Sequence, residues 1–330
     1  MKKEMAKRAA ALLLAACMAL SVTACSAKKG GKMLKIGVVQ LVEHTALDAS
    51  YKGFIDGLAE AGYEDGKTVT IDYQNAQGEQ ANCVTIADKF VNDKCNLILA
   101  IATPAAQAVA NKTKDIPVLV TAVTDPASAK LVATNEAPGG NVSGTSDLNP
   151  IKEQMALLMQ LVPTAKKVGF LYCSSEANSA FQVELARAEL KAAGIESQDF
   201  TVSNSNELQQ VTQSMVGKVD AVYIPTDNML SAGMTTVASV TTAAKLPVIV
   251  GEGAQVENGG LATCGINYYN LGKQTAAMAV RILKDGAKPA EMPIEYLDKT
   301  ELIINKAVAE AVGITVPQEL AGKATFVEKK

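Results

Sequence analysis

The chain has 330 residues, a net charge of −3 and a single histidine. That charge balance supplies no basic field for nucleic acid, and one histidine excludes a multi-histidine metal centre or any Ser-His-Asp triad that does not use it. After removal of a leader, about 300 residues allow one large domain or two of common size.

In chain order, the first element is that leader. Lys2, Lys3, Lys7 and Arg8 precede an apolar run from Ala9 to Val22. Charged, then apolar, then small residues make a secretory signal, and the run is short for a membrane span of roughly 20 apolar residues. Val22-Thr23-Ala24-Cys25 resembles the bacterial lipobox, which predicts residues 1–24 as a signal peptide and Cys25 as the lipidated new N-terminus. Residues 25–33 then form a polar tether, and the protein works outside the cell, anchored to its membrane. Cytosolic nucleotides are out of reach there, which disfavours ATP- and NAD-dependent enzymes. The remaining cysteines, Cys83, Cys95, Cys173 and Cys264, show neither a C-x-x-C pair nor metal spacing. They read as free buried thiols, with a Cys83–Cys95 bridge as the alternative.

From Lys35 short apolar runs alternate with amphipathic helices. Strands are predicted at 36–40, 68–73, 97–101 and 118–123, and helices at 46–61, 78–93 and 103–113. After Pro138-Gly139-Gly140-Asn141 the rhythm restarts. A helix follows Asn149-Pro150 to about Leu161, with further helices at 179–193, 205–216, 229–244 and 269–284. Strands are predicted at 167–172, 196–202, 221–224, 247–250 and 260–266, and the tail from Pro293 to Leu320 reads as a strand, a linker and a short helix. Short buried strands alternating with helices predict an α/β fold with parallel, doubly wound sheets in two lobes.

Ligands of such sheets sit outside the carboxyl ends of the strands. The loops there carry Gln40 to His44, Thr103-Pro104, Thr124-Asp125, Ser175-Glu176-Ala177-Asn178, Thr226-Asp227-Asn228 and Glu252. Capping accounts for many Ser, Thr, Asp and Asn residues at helix starts; polar groups on the same edge of both lobes point to a shared site. Ala61-Gly62-Tyr63-Glu64-Asp65-Gly66-Lys67-Thr68 fits a loose phosphate-loop pattern, but it follows a helix, precedes a strand and carries two carboxylates. It is a turn. Asn141-Val142-Ser143 is a sequon in form only, because a lipobox implies a bacterium. No G-x-S-x-G elbow occurs.

Six segments then match one family in order: Val38 to His44, Ala100 to Gln107, Ala122 to Pro126, Leu171 to Asn178, Val222 to Asn228 and Gly265 to Gly272. Together they resemble the substrate-binding lipoproteins of ABC transporters of the tryptophan/tyrosine-binding type, over about Leu34 to Pro293. The resemblance implies the type I periplasmic-binding-protein fold, two Rossmann-like lobes joined by a three-strand hinge. It places residues 34–146 and 266–290 in an N-terminal lobe and 147–265 and 291–330 in a C-terminal lobe. It implies a non-enzymatic, monomeric binding protein with no cofactor or metal. Hinge closure would capture an aromatic or other apolar amino acid and deliver it to a permease with its ATPase. Thr103, Ser175, Asn178 and Thr226 suit the ligand carboxylate, and Asp227 suits the ammonium, with Asp125 or Glu176 as competitors. His44, Tyr268 or Pro104 would supply a flat apolar wall. A sensor for a membrane signalling partner, or a nucleoside- or sugar-binding protein, is the alternative; a secreted hydrolase is disfavoured by the missing base and metal ligands.

Overall fold

A computed structural model describes residues 33–327. The leader, Cys25 and most of the tether lie outside the described residues. Among those described, no helix is long and apolar enough to cross a membrane.

The first half runs β1 (Leu34–Gln40), α1 (Thr45–Glu60), β2 (Val69–Asn75), α2 (Gln80–Asn92), β3 (Leu97–Ile101), α3 (Thr103–Lys112), β4 (Val118–Val123) and β5 (Val142–Ser146). The second continues with α4 (Ile151–Leu161), β6 (Lys167–Cys173), α5 (Ala177–Ala192), β7 (Glu196–Val202), a 3-10 turn and α6 (Leu208–Met215), and β8 (Ala221–Ile224). Then come α7 (Asn228–Ala232), α8 (Met234–Ala243), β9 (Val248–Val250), α9 (Gly253–Glu257), β10 (Ala262–Gly265) and α10 (Tyr268–Asp285). The tail holds β11 (Glu301–Asn305), α11 (Lys306–Val312), α12 (Gln318–Ala321) and β12 (Thr325–Val327).

The strands form two sheets, ordered β2-β1-β3-β4-β5 and β12-β11-β10-β9-β8-β6-β7. Parallel pairing joins β1, β3, β4 and β5 in the first and β7, β6, β8, β9 and β10 in the second. One pairing departs from the expected parallel sheets: β11 runs antiparallel to β10. It enters from the other lobe, so no crossover connection constrains its direction. Strand order reverses between β1 and β3 and between β6 and β8. Those are the switch points at which a ligand crevice opens in sheets of this kind.

The central strands are sealed on both faces. Every residue of β3 and β4 is buried, as their unbroken apolar runs require. In the second lobe Phe170 meets Tyr223 edge-on at 6.1 Å, in a core that also holds Ile249, Leu158 and Val183. The strand β5 is different: Val142-Ser143-Gly144-Thr145-Ser146 is fully buried yet nearly all polar or small. Ser143 donates to the Met292 carbonyl at 2.7 Å, and Thr145 bonds the hydroxyls of Thr121 and Thr275. Gly144 holds φ 149° with Val120 so near that a Cβ would sit 2.1 Å from its carbonyl oxygen. A larger residue could not pair there.

The chain crosses between the sheets three times: after β5, between β10 and α10, and before β11. The helix α10 therefore returns to the first lobe, where Gly272 lies against the Ser50 carbonyl of α1. The third crossing falls after Glu295 and not at Glu291, because Glu295 bridges Thr145 and exchanges backbone bonds with Gly144 and Ser146 at the edge of β5. Three further expectations are corrected. The helix expected at 229–244 is interrupted at Gly233, packed on Leu208. The helix expected at 205–216 opens as a 3-10 turn. The tail adds β12, paired with β11. All four described cysteines are free, and Cys264 is only partly buried.

Candidate functional site

Both switch points open toward one small interlobe cavity. His44, Ala46, Leu47 and Ala122 line it from the first lobe, Thr226, Asn228, Ser231 and Glu252 from the second, and Asp147 and Tyr268 from the crossings. Among the described residues, no group of three or more His, Cys, Asp or Glu could hold a metal ion.

Local geometry explains each wall. His44 is the extended N-cap of α1, and no side chain caps that helix. The N–H groups of its first turn, at Thr45, Ala46 and Leu47, are thus left with the partial positive charge of the helix start. Ala122 sits at φ 53° where the β4–β5 register shifts. Such a bulge re-aims the strand end beside a site, and only a methyl group intrudes. Asp147 follows β5 directly. Its Oδ2 accepts from Tyr268 Oη at 2.6 Å, while Oδ1 is buried without a partner. Burial pushes its carboxyl up to about 6. Glu252 caps α9 through Ala254 N and Gln255 N, and burial raises it to about 7.

The lobes touch directly. Gln182 Nε2 donates to Thr124 Oγ1 at 3.0 Å and to Thr226 Oγ1 at 2.6 Å, tying the end of β4 to α5 and β8. His44 Nε2 lies 3.4 Å from Asn228 Oδ1 across the cleft. The cleft is closed.

Of the residues singled out from the sequence, His44, Thr226, Asn228, Glu252 and Tyr268 line the cavity, and Thr124 joins the interlobe contact. Asp227 is fully buried, but its oxygens accept from Cys173 N, Ser179 Oγ and Leu230 N. It caps α7 and ties it to β6, and it does not line the cavity. Glu176 likewise accepts from Asn178, Asn228 and Met229, and burial beside Asp227 raises its pKa. Asn178 spends its Nδ2 on Glu176 and the Thr226 carbonyl, and its buried Oδ1 is unpartnered. Asp125 holds a turn through Ser128 and Asn135, and Ser175 is exposed beside Cys173. Gln40 donates to Asp48 in the first turn of α1. Thr103 starts α3 with a buried, unpartnered hydroxyl, and the Pro104 carbonyl accepts from Gln80; neither residue lines the cavity. The sequence reading missed Asp147, Ala122, Ser231 and Gln182. A carboxylate within a small polar run between two α/β units was the available signal for Asp147.

Residues 35–328 match the family model of the ABC transporter substrate binding proteins. The chain belongs to that family. It is therefore an extracytoplasmic binding protein, and it does not transform its ligand. It is 42% identical over 319 residues to the tyrosine-binding protein of Clostridioides difficile (strain R20291), covering 93% of this chain and 92% of that one. A solved ABC domain from Streptococcus pneumonia in complex with L-Trp is 42% identical and superposes with a TM-score of 0.87, over 90% of this chain and all of that one. The ligand-free, open structure of a substrate binding protein with adhesive properties from Clostridium difficile is 44% identical with equal coverage, yet superposes at only 0.69. At matched identity, the substrate-binding protein described here has the shape of the complex, in keeping with its interlobe hydrogen bonds.

Proposed function

We propose that this substrate-binding protein captures a free amino acid with an aromatic side chain in the interlobe cavity and hands it to an ABC permease and its ATPase. The observation that carries this is one interlobe cavity offering charge of both signs. Asp147, with its buried and unpaired Oδ1, and Glu252 both line it. The uncapped first turn of α1 reaches it through Ala46 and Leu47. A zwitterion meets both demands: its ammonium takes the Asp147 oxygen, and its carboxylate takes the N–H groups of Thr45 to Leu47. A neutral sugar or nucleoside could donate a hydroxyl to Asp147 but would bring no anion to the first turn of α1. The ammonium role moves from Asp227 to Asp147, because Asp147 lines the cavity and Asp227, engaged in capping α7, does not. The tyrosine-binding relative and the L-Trp complex support an aromatic side chain for the ligand.

Delivery from a membrane anchor belongs to the same proposal. Lipidation at Cys25 would hold the lobes near the permease and raise the local concentration of loaded protein.

Thermal unfolding across the twenty amino acids, sugars and nucleosides tests the reading. Tyrosine or tryptophan at a hundred times its Kd should stabilise the protein by about 2.7 kcal/mol. Asp147→Asn should lose the shift while remaining folded. A shift from sugars alone, or an undiminished amino-acid shift in Asp147→Asn, would overturn it.

A further inference from the structure

The closed cavity holds a second buried atom with unused hydrogen-bonding capacity. Asp147 Oδ1 has the ammonium; His44 Nδ1, sealed from solvent, has no partner in the protein. Its character is fixed from the opposite lobe. The Glu176 carboxyl is surrounded by donors: Asn228 Nδ2 at 2.6 Å, and the backbone N–H groups of Asn228 and Met229, both at 3.2 Å. That turns the Asn228 amide so that its oxygen faces His44 Nε2. An amide oxygen only accepts, so Nε2 carries the imidazole proton. Burial lowers the ring to about 4, which keeps it neutral at neutral pH. A neutral imidazole has one N–H, and Nδ1 is left as a bare lone pair in a side chain that lines the cavity.

We propose that His44 reads the ligand's side chain: its acceptor-only Nδ1 selects amino acids whose ring carries an O–H or N–H donor, tyrosine and tryptophan, against phenylalanine. This rests on the amino-acid reading of the cavity. Glu176 and Asn228 are positioning residues, acting on the ligand through the tautomer they impose. Phenylalanine would seal the same acceptor away from water unpaired, a loss of about 10- to 100-fold in affinity.

Because His44 is the only histidine, protein labelled with 15N-histidine reports a single imidazole. Its spectrum should show a protonated Nε2 and a bare Nδ1 whose resonance moves with L-tyrosine or L-tryptophan and stays with L-phenylalanine. Calorimetry should place phenylalanine at least about tenfold weaker, and His44→Leu should narrow that gap to within about threefold. A protonated Nδ1 in the parent protein overturns the proposal, whatever the stability of the variant. So does a His44→Leu variant that weakens all three ligands equally, which would assign the imidazole to the ligand's common backbone and leave the amino-acid reading standing. Binding of none of the three overturns both.

Discussion

Asp227 holds together three pieces of chain: the end of β6 through Cys173 N, the start of α5 through Ser179, and the first turn of α7 through Leu230 N. Its removal would leave those buried donors unpaired, and each unpaired buried group costs about 1–3 kcal/mol. Relief from the neighbouring Glu176 carboxyl offsets part of the loss. Asp227→Ala should therefore destabilise the ligand-free protein by about 2–4 kcal/mol in urea unfolding; unchanged stability with abolished binding would restore it as a ligand contact. From the sequence, Asp227 and Asp147 are both loop carboxylates, and Asp227 is the more conspicuous because it follows a plain apolar strand. What separates them is which oxygens are already used, and that depends on partners distant in the chain. His44, Thr226, Asn228, Glu252 and Tyr268 were legible because each follows a recognisable strand at a carboxyl edge.

Among the elements, β5 was illegible. Ser143, Thr145 and Ser146 are buried only because Met292, Thr121, Thr275 and the Thr124 carbonyl satisfy their hydroxyls. No hydrophobic period marks such a strand, and Asp147 was lost with it. The five-residue α9 and three-residue β12 are too short for any period. The parallel strands β3, β4, β7 and β8 stood out as apolar or alternating runs bounded by turns. The return of α10 to the first lobe came from the family resemblance alone, and its fit rests on small residues. Gly53 and Gly57 of α1 and Gly272 of α10 let the helix backbones meet, with a Cβ at Gly272 only 1.9 Å from the Ser50 carbonyl oxygen. Gly272→Val should force α10 outward, lower stability by about 1–3 kcal/mol or more, and weaken ligand binding by displacing Tyr268 at its N-terminus. Thermal melts paired with calorimetry would check both; a stable variant with intact affinity would show that the close approach is not needed.

At the scale of the molecule, two lobes meet over a cavity whose charges neither lobe supplies alone. The first brings the uncapped start of α1, the second brings Glu252, and Asp147 and Tyr268 come from the crossings themselves. Gln182 and His44 bond across the cleft; in the proposed mode closure would place Asp147 and Glu252 around the ligand ammonium, coupling binding to the change of shape. The decisive contact of the proposal is the ammonium on Asp147. Titration calorimetry should compare L-tyrosine and L-tryptophan with their des-amino analogues, 3-(4-hydroxyphenyl)propionate and 3-indolepropionate. The account predicts saturable binding of the two amino acids and at least about hundredfold weaker binding of the analogues, since a charge-assisted bond to a buried carboxylate is lost. Equal affinity for an amino acid and its des-amino analogue would contradict it.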